Sequence, residues 1–141
     1  MLNSSIFWIV LYIIASVVVI YGIIIFSKKK MMKKVDYKDV LYFFKIVFIL
    51  KILDCLSTAY FSYKIGIENE ANLMVRIFMT YLGIPLGIFI SLMISLPALF
   101  FWLIAVNYYF KNIVVKPNLW KIFKIIIIII ISTIIILNMS V

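Results

Sequence analysis

Lys51 and Asp54 stand in the middle of an otherwise apolar stretch of chain. Ionisable groups in such surroundings are costly and by default mark function. Three residues apart, they share one face of a helix. Thr58 follows Asp54 by four residues and Ser62 follows Thr58 by four. At about 100° per residue these four side chains fall in a stripe roughly 80° wide, with Ser57 at its margin. Two chemistries fit the stripe. One is a buried ion pair with hydroxyl hydrogen bonds that join helices. The other is a proton- or cation-binding site in which Asp54 is the titrating group. A second polar cluster follows at Glu68, Asn69, Glu70 and Asn72. It reads either as a solvated loop or as a lid over the end of the stripe. In the second case Glu70 and Asn72 would present carboxylate and amide oxygens near Thr58 and Ser62, donors that suit a hard cation.

The residue inventory removes other chemistries. The chain has no His, so His-based triads, His-ligated zinc and His-ligated haem are excluded. Cys55 is the sole cysteine, which excludes an internal disulfide and a thiolate cluster. Five acids are few for a two-metal centre, and neither glycine-rich nucleotide signature occurs. No cofactor is expected. An intramembrane enzyme would have to depend on Asp54, Lys51 or Cys55.

The elements that must hold the stripe are set by composition. Of 141 residues, 67% are hydrophobic and 13% charged, with a mean hydropathy of +1.26. A soluble domain carries about 25% charged residues, and so little polarity cannot cover a fold of this size in water. Lipid is the expected solvent. About 20 apolar residues cross a hydrocarbon core as a helix, and four spans can be placed, at about 6–26, 40–63, 85–109 and 119–137. The first lacks a preceding cation, which speaks against a cleaved signal peptide. The second contains Lys45, Lys51 and Asp54; Lys45 is close enough to its end to snorkel. Ile77–Leu82 reads as a short interfacial or re-entrant turn set off by Gly83 and Pro85. Pro97 should kink the third span. Pro117-Asn118 reads as a turn, and the run Ile125–Ile131 must be helical, because an open strand leaves backbone groups unpaired in lipid.

Charge then sets the threading. Lys28, Lys29, Lys30, Lys33, Lys34 and Lys38 lie between the first two spans, and Lys111, Lys116, Lys121 and Lys124 between the last two. The intervening loop has only Lys64 and Arg76, and neither terminus has a charged side chain. The positive-inside rule places both basic loops in the cytoplasm and both termini outside. The net charge of +9 is therefore a topology signal, and nucleic acid is not an expected partner. The bilayer is, together with further copies of the chain or a larger membrane complex, since four spans hardly enclose a pore. The N-x-S triplets at Asn3 and Asn138 would face outward, close to the membrane surface, and modification of either is not expected.

The residues Asp54, Thr58, Gly66, Glu70 and Asn72 resemble the pattern of DUF5658, a family of small membrane proteins without an assigned activity. In that pattern an Asp is followed four residues later by Thr, then by Gly and a Glu-x-Asn-Pro motif. Leu73 stands where the family has Pro. The resemblance covers residues 50–76 and implies that the polar stripe and the acidic loop form one unit. The expected protein is thus an all-α, four-span bundle in one domain, 1–141, integral to the cell membrane. Its polar site, Lys51, Asp54, Thr58, Glu70 and Asn72, stabilises the bundle or binds a cation. The alternative is an oligomeric small transporter that uses Asp54 as its coupling carboxylate.

Overall fold

A computed structural model describes residues 2–140, without the side chains of residues 2–5 and of Pro117. The side chains of the Asn3-Ser4-Ser5 triplet thus lie outside the described residues. Every regular element among the described residues is helical: α1 (Leu2–Ser27), a single short turn α2 (Lys29–Met32), α3 (Tyr37–Ile65), α4 (Leu73–Leu82), α5 (Ile84–Tyr108) and α6 (Pro117–Met139). A 3-10 turn (Ile67–Asn69) follows α3, and a π turn (Tyr109–Ile113) extends α5. Three stretches, Ile6–Ser27, Ile84–Ile113 and Asn118–Met139, are long and apolar enough to cross a membrane. They bare isoleucines such as Ile13, Ile129 and Ile136 over most of their length, a surface suited to lipid and not to water.

Local chemistry explains where the helices begin and end. Asp36 caps α3 by accepting a 3.2 Å hydrogen bond from the Asp39 amide. Gly66, at φ 111°, stops α3 while its N–H bonds the Ser62 carbonyl at 3.1 Å. Asn72 caps α4 by accepting from the amides of Met74 and Val75 at 3.1 and 3.3 Å. That cap corrects the sequence reading of 77–82 as a turn, because α4 is a full helix begun four residues earlier. Pro117 occupies the first turn of α6, where its missing N–H costs nothing, so Pro117-Asn118 opens a helix and is not a turn. Helix α5 continues through Pro97. The isoleucine run is helical, as lipid requires.

Helix α5 is the centre of the assembly: α1, α3 and α4 all pack on it, and α6 packs on α3 and meets α5 where Phe123 lies 5.3 Å from Trp102, ring to ring. Two glycines permit the closest approaches. A Cβ on Gly22 would lie 1.9 Å from the Phe101 carbonyl oxygen, and one on Gly87 would lie 2.5 Å from the Met79 amide nitrogen. Backbone therefore meets backbone at both crossings. Between the α1–α5 crossing and the lysine-rich end lies the main core, with Ile25, Val40, Phe43, Val47, Leu103, Ile104 and Trp120 buried.

The lysine-rich end is more than a set of solvated cations. Lys111 pairs with Asp36 at 2.8 Å and Lys124 with Asp39 at 2.9 Å. Trp120 Nε1 also donates to Asp39. Buried Asn107 accepts the Asp36 amide at 3.0 Å. The Lys111 bond holds the Asp36 carboxyl below the usual carboxylate range. Burial works to raise Asp39, but its bonds to Lys124 and Trp120 outweigh it and leave that carboxyl low as well. Lys28, Lys29, Lys30, Lys33, Lys34, Lys116 and Lys121 remain exposed.

Candidate polar site

Lys51, Asp54, Thr58, Glu70 and Asn72 line a single cavity of about 300 Å³ at the opposite end of the molecule. Helix α3 supplies the first three. Its final four turns run beyond Lys51 to Ile65 before Gly66 reverses the chain. Residues 69–72 then line the same cavity as Lys51, and Asn72 opens α4. The helical pitch that aligned Lys51, Asp54 and Thr58 thus meets a loop folded into the bundle.

The contacts are specific. Lys51 Nζ lies 2.6 Å from Asp54 Oδ2, and the two side chains keep 28% and 15% of their surface. Glu70 Oε1 accepts the Asn72 amide at 2.9 Å, which closes a tight turn. Asn72 Oδ1 accepts from the Tyr12 hydroxyl of α1 in addition to capping α4. Asn138 of α6 donates to Ser57 Oγ at 3.2 Å and Thr58 Oγ1 at 3.4 Å. Four segments, α1, α3, the 66–72 turn and α6, therefore meet through polar side chains.

Several residues of the stripe and loop stand apart. Ser62 is buried, yet its hydroxyl makes no hydrogen bond and it lies outside the cavity lining. Glu68 is exposed and lies beside Gly66, where a Cβ would strike its carboxylate. Cys55 is partly buried and lines neither this cavity nor its larger neighbour. Two contributors escape sequence reading. Asn138 sits inside an N-x-S triplet that draws attention to glycosylation instead. Tyr12 looks like one more aromatic of an apolar span, although a hydroxyl that far from the chain end, one turn before Ser16, is a signal of a polar contact.

Burial pushes the Glu70 carboxyl above its ordinary value; the Asn72 N–H opposes this, Asp54 reinforces it, and Lys51 and Arg76 oppose it. A carboxyl raised by folding binds more protons in the native than in the unfolded state. Its contribution to stability is present at low pH and is lost as pH rises through the raised value. Glu70→Gln should accordingly flatten the fall in detergent melting temperature as pH rises above the ordinary glutamate value of about 4.3. An unchanged slope in the variant would place the titration elsewhere.

The chemistry of the lining bears on metal binding. Two carboxylates share the cavity, and the Lys51 ammonium stands against Oδ2 of one of them, Asp54. Among the described residues no group of three or more Cys, Asp or Glu side chains is arranged to hold a metal ion. Comparisons with protein-family models, with curated proteins and with solved structures find no match for the chain.

Proposed function

We propose that this chain is a four-span, non-enzymatic protein of the cell membrane, with α3 as the span that carries its own charges. Its polar site is a built-in cation site, filled by Lys51, that fastens the 66–82 segment into the bundle. The observation that carries this reading is the 2.6 Å Lys51–Asp54 pair at the wall of a cavity shared with Glu70 and Asn72. The pairing of α1, α3, α4 and α6 through that cavity supports a structural role, and the resemblance to DUF5658 supports treating residues 50–76 as one unit. The positive-inside rule puts Lys28–Lys34 and Lys111–Lys124 in the cytoplasm and both termini outside.

A second reading has one specific observation in its favour. Asp54 and Glu70 line one cavity and Lys51 bonds Asp54, so Glu70, whose bond is to the Asn72 amide, can take up a proton or an external cation. On that reading the protein is a small oligomeric transporter. Asp54→Asn in proteoliposomes separates the two. Lost thermostability with no flux in either protein supports the fastening role. A normal melting temperature with loss of proton-coupled flux supports transport. Unchanged stability together with unchanged flux sinks both. The threading is tested by a membrane-impermeant thiol reagent in a Cys55→Ser background: a cysteine at Asn69 should react from outside and one at Met32 should not.

A further inference from the structure

A second cavity, of about 450 Å³, lies on the other side of Lys51, between α1, α4 and α5. Its volume falls within the range of small-molecule sites, and its lining has the usual character of one, apolar walls with a few convergent polar groups. Val19, Ile20, Phe78 and Ile94 supply apolar wall; Tyr12, Ser16, Lys51, Asn72, Ser91 and Ser95 supply the polar atoms. Ile20 and Ile94 are each more than half exposed, so the cavity opens sideways, onto the surface that α1 and α5 offer to lipid.

The hydrogen-bonding state of the polar atoms selects the ligand. Lys51 spends one of its three donors on Asp54, and that pair cancels its charge. Ser16 donates its proton to the Tyr12 carbonyl at 2.7 Å and Ser95 to the Leu92 carbonyl at 3.1 Å. Both keep oxygen lone pairs for a ligand. Ser91 makes no side-chain hydrogen bond among the described residues, so it retains donor and acceptor together. A full negative charge would meet Asp54 close behind Lys51. A full positive charge would meet Lys51 itself. A hydroxyl is both donor and acceptor and brings no charge, so it matches Lys51 N–H on one side and the serine oxygens on the other. We propose that this cavity binds a neutral, hydroxyl-headed single-chain lipid, drawn laterally from the bilayer, with the hydroxyl between Lys51 and Ser91/Ser95 and the chain along Ile20, Phe78 and Ile94. The proposal is independent of whether the neighbouring site fastens or transports.

The test uses the full chain in detergent and four probes of one chain length: hexadecanol, palmitate, hexadecyltrimethylammonium and hexadecane. Retention is read by native mass spectrometry and by the shift in melting temperature. Hexadecanol should bind at least tenfold more tightly than each of the other three. Ser91→Ala with Ser95→Ala should erase its advantage over hexadecane, and Ala98→Phe, which fills the cavity, should abolish retention of both. Each variant's melting temperature without probe shows that it is folded, and Ala15→Phe serves as a second filling variant should Ala98→Phe unfold. Equal or tighter binding of palmitate or of the ammonium probe overturns the proposal. So does hexadecanol retention that survives a folded, filled variant, or no retention of hexadecanol at all.

Discussion

Asp54→Ala is expected to destabilise the protein more than any other single change in the polar site, and Lys51→Met should repair much of the damage when added to it. Removing one partner of a buried ion pair leaves the other charge without compensation, at a cost of roughly 3–5 kcal/mol for a fully buried pair. Lys51 and Asp54 retain 28% and 15% of their side-chain surface, so the loss should lie near the lower end, about 3 kcal/mol. The remaining ammonium would line two cavities with no carboxylate at hydrogen-bond distance. The double variant removes both charges and replaces them with apolar bulk, a change that is often neutral or stabilising in an interior. Equilibrium unfolding in mixed micelles of the wild type, both single variants and the double variant closes a thermodynamic cycle. A coupling near the upper end of the usual range, about 3 kcal/mol, is expected. A coupling near zero would show that Lys51 and Asp54 are solvated independently and that the pair does not organise the site.

What the sequence discloses about this region follows from the reach of each physical rule. Helical periodicity is local, so it correctly sets Lys51, Asp54 and Thr58 on one face of α3. The reversal at Gly66 is also local: a glycine at the end of an apolar helix permits the positive φ that the structure displays. The spans predicted at 85–109 and 119–137 differ from α5 and α6 by one or two residues at each end, because Pro85 and Pro117 fix where those helices start. Non-local contacts are another matter. Tyr12 and Asn72 lie sixty positions apart and Asn138 and Thr58 eighty, and no periodicity links them. The same limit applies at the lysine-rich end. Counting charges marks Lys111 and Lys124 as topology anchors, yet their bonds to Asp36 and Asp39 join the π turn and α6 to the start of α3. Gly22 is the clearest case. Within its own span it is only an interruption of apolar residues, and its significance comes wholly from Phe101 on another helix.

Gly22→Leu should accordingly be the most disruptive substitution in the apolar part of the molecule. A Cβ at this position would sit 1.9 Å from the Phe101 carbonyl oxygen and 2.6 Å from its carbon. The obstacle is backbone, so no rotamer change relieves it, and α1 must move away from α5. Overpacking of a close-packed interior costs typically 1–3 kcal/mol. Here separation of two helices also forfeits the dispersion contacts along their length, which are the main attraction between apolar helices in lipid. Gly22→Ala meets the same carbonyl with a smaller group and should fall between the wild type and Gly22→Leu. Gly83 provides the contrast. It has φ 81° and nothing within 4 Å of a built Cβ, so Gly83→Ala should cost only backbone strain, about 1 kcal/mol. The measurement is SDS-titrated unfolding of the three variants, with a disulfide trap between cysteines introduced at Val18 and Val106, in a Cys55→Ser background, as a report on α1–α5 packing; both positions line one cavity at that interface. Destabilisation should rank Leu above Ala at position 22, and the trap should weaken in the same order. Equal stabilities of Gly22→Leu and Gly83→Ala would mean that α1 and α5 do not cross at Gly22. The outcome also bears on the polar site, because α1 carries Tyr12, and a displaced α1 would remove the hydroxyl that binds Asn72 at the head of α4.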